Sequence, residues 1–207
     1  MLKTKEVEFN YDNQMFFKFQ NIDLNSNENL LIIGESGVGK TTLMHLLAGL
    51  LKSNSGSIKL FDKELNQMSS YQLDSFRKNN IGIVFQRPHF VNSLTVKENL
   101  QLAQYIANKN DNTRIESILK NLNIFDKSNK KTNQLSQGEK QRVSIALAIV
   151  NSPKLILADE PTSSLDDNNC SKVIKLLKKQ ATDFGAQLIV ITHDSRLKKH
   201  FKKSIEL

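Results

Sequence analysis

The sequence predicts an α/β fold: a mostly parallel sheet covered on both faces, an antiparallel β part at the N-terminus and a helical insert near the middle. Three observations predict it. Short apolar runs at 30–33, 81–85, 155–158 and 187–191 have the length and composition of strands buried on both sides. Segments with apolar residues at helical spacing alternate with them, the order that builds parallel sheets. The first segments, 7–11 and 16–24, alternate apolar with polar instead, as antiparallel strands with one wet face do.

The elements follow in that order. The run at 30–33 stops at a glycine loop, and 41–51 then places Leu43, Leu46, Leu47 and Leu50 on one helical period. Residues 57–61 and 81–85 read as strands. From about 87 to 150 the pattern is helical, over 95–108, 112–122 and 139–150. A strand at 155–158, a helix at 168–181, a strand at 187–191, a short helix and a closing strand complete the chain. No repeat and no linker rich in Gly, Pro or Ser divides it. It reads as one domain over 1–207, in which 1–86 and 151–207 form the core with the antiparallel part, and about 87–150 form the helical subdomain.

Composition bounds the function. At 207 residues the chain is long enough to bury a sizeable core. With 39% hydrophobic and 24% charged residues, and only 3 Pro and 8 Gly, it is neither disordered nor collagenous. A lone cysteine, Cys170, excludes an internal disulfide scaffold. The start, MLKTKEVEFN, has no apolar signal core, and no apolar run approaches the roughly 18 residues of a membrane span, so a soluble chain is expected. The net charge of +8 comes from lysines spread along the chain, which read mainly as solvated faces. The one dense basic run, 196–203, reads as a contact patch or as the outer face of a last helix.

Two motifs carry phosphate chemistry. Gly34-Glu35-Ser36-Gly37-Val38-Gly39-Lys40-Thr41 matches G-x-x-x-x-G-K-S/T, the P-loop, and it stands between an apolar strand and an amphipathic helix. Its glycines let successive backbone N–H groups face phosphate oxygens, and the following helix, through Thr42 onward, adds its positive end. Lys40 reaches the β- and γ-phosphates and the Thr41 hydroxyl ligates Mg²⁺. The chain therefore binds a nucleoside triphosphate. The second motif is an apolar strand that ends in Asp159-Glu160, which sets two carboxylates at the sheet edge where ligands sit. Asp159 is placed to hold Mg²⁺, and Glu160 to polarise the attacking water.

A third segment separates nucleotide-binding families. In Leu135-Ser136-Gln137-Gly138-Glu139, Ser136 reads as the N-cap of an apolar helix and Glu139 as a capping partner. LSQGEKQRV followed by ILADEPTSSLD resembles the ATPase subunit of an ABC (ATP-binding cassette) transporter, over essentially the whole chain. The resemblance implies a P-loop NTPase core, ATP and Mg²⁺ as cofactors, and ATP hydrolysis. By the same resemblance Tyr11 stacks on adenine, with Phe16 or Phe17 as alternatives. Gln86, in IVFQRP, is similar to the glutamine that reaches the metal and water and links core to insert. Residues 163–166, with Asp166, look like the loop that touches a second subunit, and His193, in ITHD, matches the histidine that contacts the γ-phosphate. His45, His89 and His200 match nothing and read as structural or surface residues.

The family pattern also implies a head-to-tail dimer, in which each ATP lies between the P-loop of one copy and Ser136, Gln137 and Gly138 of the other. Docking on the cytoplasmic side of an integral-membrane permease is implied too, by the groove between core and insert near 86–95. ADEPTSSLD resembles the branch containing lipoprotein-release, macrolide-exporter-like and cell-division ATPases. No nucleic-acid partner is expected. A soluble ABC-type ATPase acting on nucleic acid, or one recruiting a division or assembly partner, remains the alternative. Two positions depart from the pattern: Gln137 stands where a glycine is common, and Leu147 where an arginine is usual.

Overall fold

The computed structural model describes residues 1–11, 15–26, 28–163, 165 and 167–207. In chain order its elements are β1 (Leu2–Tyr11), β2 (Met15–Lys18), β3 (Asp23–Leu24), β4 (Leu30–Ile33), α1 (Lys40–Leu47), β5 (Ser55–Leu60), β6 (Lys63–Glu64), α2 (Ser70–Asn80), β7 (Ile81–Val84), α3 (Val96–Ile106), α4 (Asn112–Asn121), α5 (Gln137–Ile149), β8 (Leu155–Asp159), α6 (Asp167–Asp183), β9 (Gln187–Thr192) and β10 (Ser204–Glu206). Short 3-10 turns lie between several of them.

One sheet runs β10-β4-β9-β8-β7, and every neighbouring pair in it is parallel. Its register aligns Ile33 with Thr192, Asp159 with Ile191, and Val84 with Ala158. All the strands therefore end at one edge, and the loops that follow them gather there. The two faces separate by residue parity, since successive side chains of a strand point to opposite sides. Leu30, Ile32, Leu155, Leu157, Ile189 and Ile191 pack with α1 and the antiparallel sheet. Leu31, Ile33, Ile156, Ala158, Leu188 and Val190 pack with α5, α6 and the helical insert. Each such buried aliphatic side chain contributes about 1.5–3 kcal/mol, which is why runs with no polar residue are stable here.

The second sheet is antiparallel, ordered β2-β1-β5-β6, with β3 also paired to β1. The expected strand over 16–24 is two, β2 and β3, because Lys18 ends one pairing and Asp23 starts another. The β1–β5 register shifts between Lys5 and Glu8, where Glu6 has a φ of 49°. Opposite it, a Cβ on Gly56 would lie 2.1 Å from the Glu6 carbonyl oxygen, so only glycine fits that bulge.

Helices α3, α4 and α5 form the insert, and their buried Val96, Leu100, Ile115, Leu119, Val143 and Ile149 join the core of the parallel sheet without a break. Helix α2 buries no residue fully, and only Leu73 and Phe76 pack partly buried against the core. It is set by a capping box: Gln72 N–H donates to the Ser69 hydroxyl while the Gln72 side chain accepts from Ser69 N–H. The basic run is a 3-10 turn over Ser195–His200, with Leu197 buried under it.

Candidate active site

The P-loop spans the gap from the end of β4 to the start of α1. Gly37 and Gly39 take φ values of 90° and 96°, the left-handed region that lets the chain wrap an anion. A Cβ on Gly39 would also come 2.6 Å from the Phe17 ring. Lys40 is nine-tenths buried, and its ammonium donates to the loop's own carbonyls, Gly34 O at 2.9 Å and Glu35 O at 2.7 Å. The lysine is thus folded into the loop it will share with a phosphate.

Thr41 and Asp159 meet across the sheet edge. The Thr41 hydroxyl donates to Asp159 Oδ2 at 3.4 Å, while Oδ1 is buried with no hydrogen-bond partner among the described residues. Burial, and then the neighbouring Glu160 charge, push the Asp159 carboxyl above its ordinary range. An orphaned, desolvated carboxylate oxygen beside a hydroxyl is a donor set that fits a hard divalent cation such as Mg²⁺.

Glu160 follows on a strained backbone, with a φ of 46°. Its N–H still donates to Ile191 O at 2.8 Å, which fixes the strained residue against β9. The carboxylate accepts from the Thr192 hydroxyl at 2.7 Å and from His193 N–H at 3.0 Å. His193 Nδ1 lies 2.8 Å from the same carboxylate and the Lys40 ammonium 3.9 Å from it. A carboxylate only accepts, so Nδ1 carries the proton and Nε2 is free to face a ligand. The histidine side chain is 54% exposed, within reach of whatever enters.

The aromatic wall divides by strand parity. Pairing of Tyr11 with Met15 and of Phe9 with Phe17 puts Tyr11 and Phe17 on one face, and Phe16 on the other. Tyr11 stands edge-on to Phe9 with centroids 4.7 Å apart, and its hydroxyl lies 3.4 Å from Thr42 Oγ1. Phe17 packs on Gly39. Tyr11 and Phe17, not Phe16, therefore border the P-loop.

The remaining predicted residues lie across a cavity of about 710 Å³. Gln86, Gln137, Gly138, Glu160 and Ser163 all line it. The Gln86 amide donates to Ser163 Oγ at 3.5 Å. Ser136 caps α5 by accepting from Glu139 N–H at 3.3 Å, and Glu139 accepts from Ser136 N–H at 2.7 Å. Ser136, Gln137 and Gly138 are exposed, and among the described residues they form no hydrogen bond to the P-loop of their own chain. Ser164 and Asp166 lie outside the described residues. Leu147 packs against the insert's core, so the usual arginine is replaced by an apolar contact.

Several residues at this edge carry no local signal. Thr192 ends an apolar strand and holds Glu160, a role that shows only once β8 and β9 pair. Gln141 on α5 donates to Pro161 O at 3.4 Å, tying the insert to the turn after Glu160. Arg196 belongs to no basic patch: it pairs with Asp194 and Asp167. Lys198 pairs with Glu206 and Lys203 with Glu28, so much of the basic run is neutralised within the chain.

Known proteins share this arrangement. The family model described as ABC transporter matches residues 17–163. The lipoprotein-releasing system ATP-binding protein LolD of Buchnera aphidicola is 37% identical over 93% of this chain and 85% of its own length. The macrolide export ATP-binding/permease protein MacB of Mannheimia succiniciproducens is 36% identical over 90% of this chain, which corresponds to 29% of that longer protein. Among solved structures, the dimeric post-hydrolysis state of the ATP-binding cassette MJ0796 bound to ADP and Pi covers 100% of this chain and 94% of that one, with a TM-score of 0.89 and 31% identity. CbiO1 of Clostridium perfringens, part of the transporter complex cbiONQ, superposes with a TM-score of 0.84 and 33% identity over 93% of this chain and 78% of its own. With a P-loop, an Asp-Glu strand end and a capped Ser-Gln-Gly helix set around one sheet edge, the chain belongs to the ABC transporter family, as an ATP-binding cassette.

Proposed function

We propose that this cassette hydrolyses ATP with its own Glu160 as the group that polarises water, in a head-to-tail dimer that drives a membrane permease of the lipoprotein-release or macrolide-export kind. The observation that carries the reading is the cluster at the sheet edge, where Thr192 and His193 are hydrogen-bonded to Glu160 and the Lys40 ammonium is ion-paired with it at 3.9 Å, next to the Thr41–Asp159 pair.

The assignments follow from that geometry. When nucleotide enters, Lys40 exchanges the carbonyls of Gly34 and Glu35 for β- and γ-phosphate oxygens, and the N–H groups from Gly34 to Thr42 line the phosphate chain. Tyr11, with Phe17 beside it, offers the face for adenine. Thr41 and Asp159, with Gln86, would hold Mg²⁺, which would supply neutralisation of charge on the phosphate oxygens. Glu160 takes a proton from water, and His193 Nε2 holds the terminal phosphate.

The dimer is supported by the exposed start of α5. Among the described residues its first N–H groups meet no acceptor beyond the Ser136 cap, which suits a phosphate brought by a second copy. Asp166, in the proposed dimer-facing loop, belongs to this reading as well. For the permease, exposed Tyr71 and Ile106 share the wall of a groove with Ile81 and Ile83 and offer it apolar surface. Among the described residues no helix is long and apolar enough to cross a membrane.

Size-exclusion chromatography of the Glu160→Gln chain with Mg-ATP tests this. A stable dimer is expected, while Lys40→Ala stays monomeric and Glu160→Gln loses turnover by at least about a hundredfold. A Glu160→Gln chain that stays monomeric at saturating ATP, or turns over at the parent rate, overturns the reading.

A further inference from the structure

The cluster described so far leaves Asp194 and Arg196 without a task, although they form the densest polar contact at this edge. Asp194 is buried, and both of its oxygens are engaged. Oδ1 accepts from Arg196 Nε at 2.8 Å and from the Arg196 backbone N–H at 3.0 Å. Oδ2 accepts from Arg196 Nη2 at 2.7 Å, from the Thr162 hydroxyl at 3.3 Å and from the Cys170 thiol at 3.7 Å. The guanidinium then reaches further, pairing with Asp167 through Nη1 and donating to Leu165 O at 3.4 Å through Nη2.

A local turn at 194–196 needs only the backbone N–H bond to Asp194. The forked side-chain bonds to a residue two positions away, and the reach to Leu165 and Asp167 some thirty positions away, serve something else. In the other direction the Asp194 N–H donates to Thr192 Oγ1 at 3.0 Å, and that hydroxyl donates to Glu160 Oε2 at 2.7 Å. An unbroken path of hydrogen bonds therefore runs from the Glu160 carboxylate through Thr192 and Asp194 to Arg196 and the described residues of 162–167. Exposed ion pairs contribute little, but a forked guanidinium on a buried carboxylate fixes direction as well as distance.

We propose that Arg196, through Asp194, is a positioning residue that locks Thr162, Leu165 and Asp167 to the turn carrying His193, so that these residues of the dimer-facing loop and the carboxylate that activates water move as one unit. The dimer-facing role of that loop rests on the functional reading given above. Energetic coupling between two sites needs such a physically continuous element. Because a guanidinium stays charged at every working pH, the lock does not open by titration of Arg196.

Hydrogen exchange and steady-state turnover test it in the full chain. Ser163 N–H donates to Glu160 O at 3.3 Å and Leu165 N–H to Thr162 O at 3.0 Å, so both amides report on the loop. In nucleotide-free Arg196→Gln they are expected to exchange about tenfold faster, while amides of β8 and β9 do not change. In the same variant kcat is expected to fall about tenfold with KM for ATP unchanged, because Arg196 touches no nucleotide-binding group. Arg196→Lys, which keeps the charge without the fork, is expected to recover less than half of the loss.

Unchanged exchange at Ser163 and Leu165, or exchange raised equally in β8 and β9, overturns the lock. Loosened amides with an unchanged kcat overturn the coupling, and full activity in Arg196→Lys overturns the forked geometry as its cause. A parent chain that fails to turn over ATP overturns the functional reading instead, and the exchange result still decides whether the lock exists.

Discussion

His193 holds Glu160 twice, through its backbone N–H at 3.0 Å and through ring Nδ1 at 2.8 Å, both on the same carboxylate oxygen. One residue thus fixes the direction of the carboxylate and has its own tautomer fixed in return, leaving Nε2 bare. The backbone bond survives substitution of the ring; the Nδ1 bond does not. In His193→Ala, kcat is expected to fall by about a hundredfold, within the range for loss of a group acting on the reacting phosphate, while KM changes less than about threefold. Steady-state kinetics that showed the reverse, a raised KM and an intact kcat, would make His193 a simple binding residue.

Asp159 gives a prediction with two opposite signs. Its carboxylate is desolvated beside Glu160, and Oδ1 has no partner among the described residues, so in the nucleotide-free chain its charge is a cost. Asp159→Asn is expected to stabilise the free chain by about 1 kcal/mol and to abolish the extra thermal stabilisation that Mg²⁺ adds to ATP. Thermal denaturation with ATP alone, with Mg-ATP and without ligand separates the two effects. A free variant less stable than the parent would show that the carboxylate is already satisfied without metal.

The acid limb of the stability curve reports on Asp194. Side-chain bonds from Arg196 hold its carboxyl below the ordinary range. A depressed value means that the folded state favours the charged form. The resulting stability is complete above the unfolded carboxylate value of about 3.9 and is lost as pH falls through the folded one. Asp194→Asn is expected to cost about 1–2 kcal/mol at pH 7, since it leaves the guanidinium without its fork. The gap to the parent should shrink below about pH 4. Urea unfolding across pH 3 to 7 measures it, and a gap independent of pH would assign the loss to packing.

What the sequence made legible follows from chemistry that forces spacing. Phosphate contact needs glycines, a lysine and a hydroxyl at set intervals, and a strand that ends in two acids can place them only at the sheet edge. Gly34–Thr41, Asp159 and Glu160 could be read for that reason, whereas His193 was read only through the resemblance of ITHD to the family pattern. Phe16 and Phe17 could not be ranked, because two adjacent aromatics carry no parity until the pairing of Tyr11 with Met15 is known. Helix α2 was hidden because its apolar face is narrow, with Leu73 and Phe76 only partly buried on the core, and the Ser69–Gln72 cap marks its start. The pairing of Arg196 could not be read within the basic run, because its partners Asp167 and Leu165 are remote in sequence and near only after β8 and β9 pair.

Two glycines separate folding from assembly. Gly39 has a φ of 96°, and a Cβ there would stand 2.6 Å from the Phe17 ring. Gly39→Ala must strain the backbone and displace the ring, so a loss of about 1–3 kcal/mol in stability is expected, together with loss of ATP binding. Gly138 differs in both respects: it is not among the glycines of positive φ, and a Cβ there meets nothing within 4 Å. It sits in the first turn of α5, where alanine is a better helix former by up to about 1 kcal/mol. Gly138→Ala is therefore expected to leave the monomer as stable as the parent or slightly more so, and ATP binding by the monomer intact. In the Glu160→Gln background the added methyl should nonetheless weaken the Mg-ATP dimer by about tenfold or more, since the bare helix start is the surface proposed to meet the second copy's phosphate. Chemical denaturation and concentration-dependent size exclusion of the same two variants measure both quantities. A Gly138→Ala chain that dimerises like its parent would remove the start of α5 from the interface, whatever Gly39→Ala does.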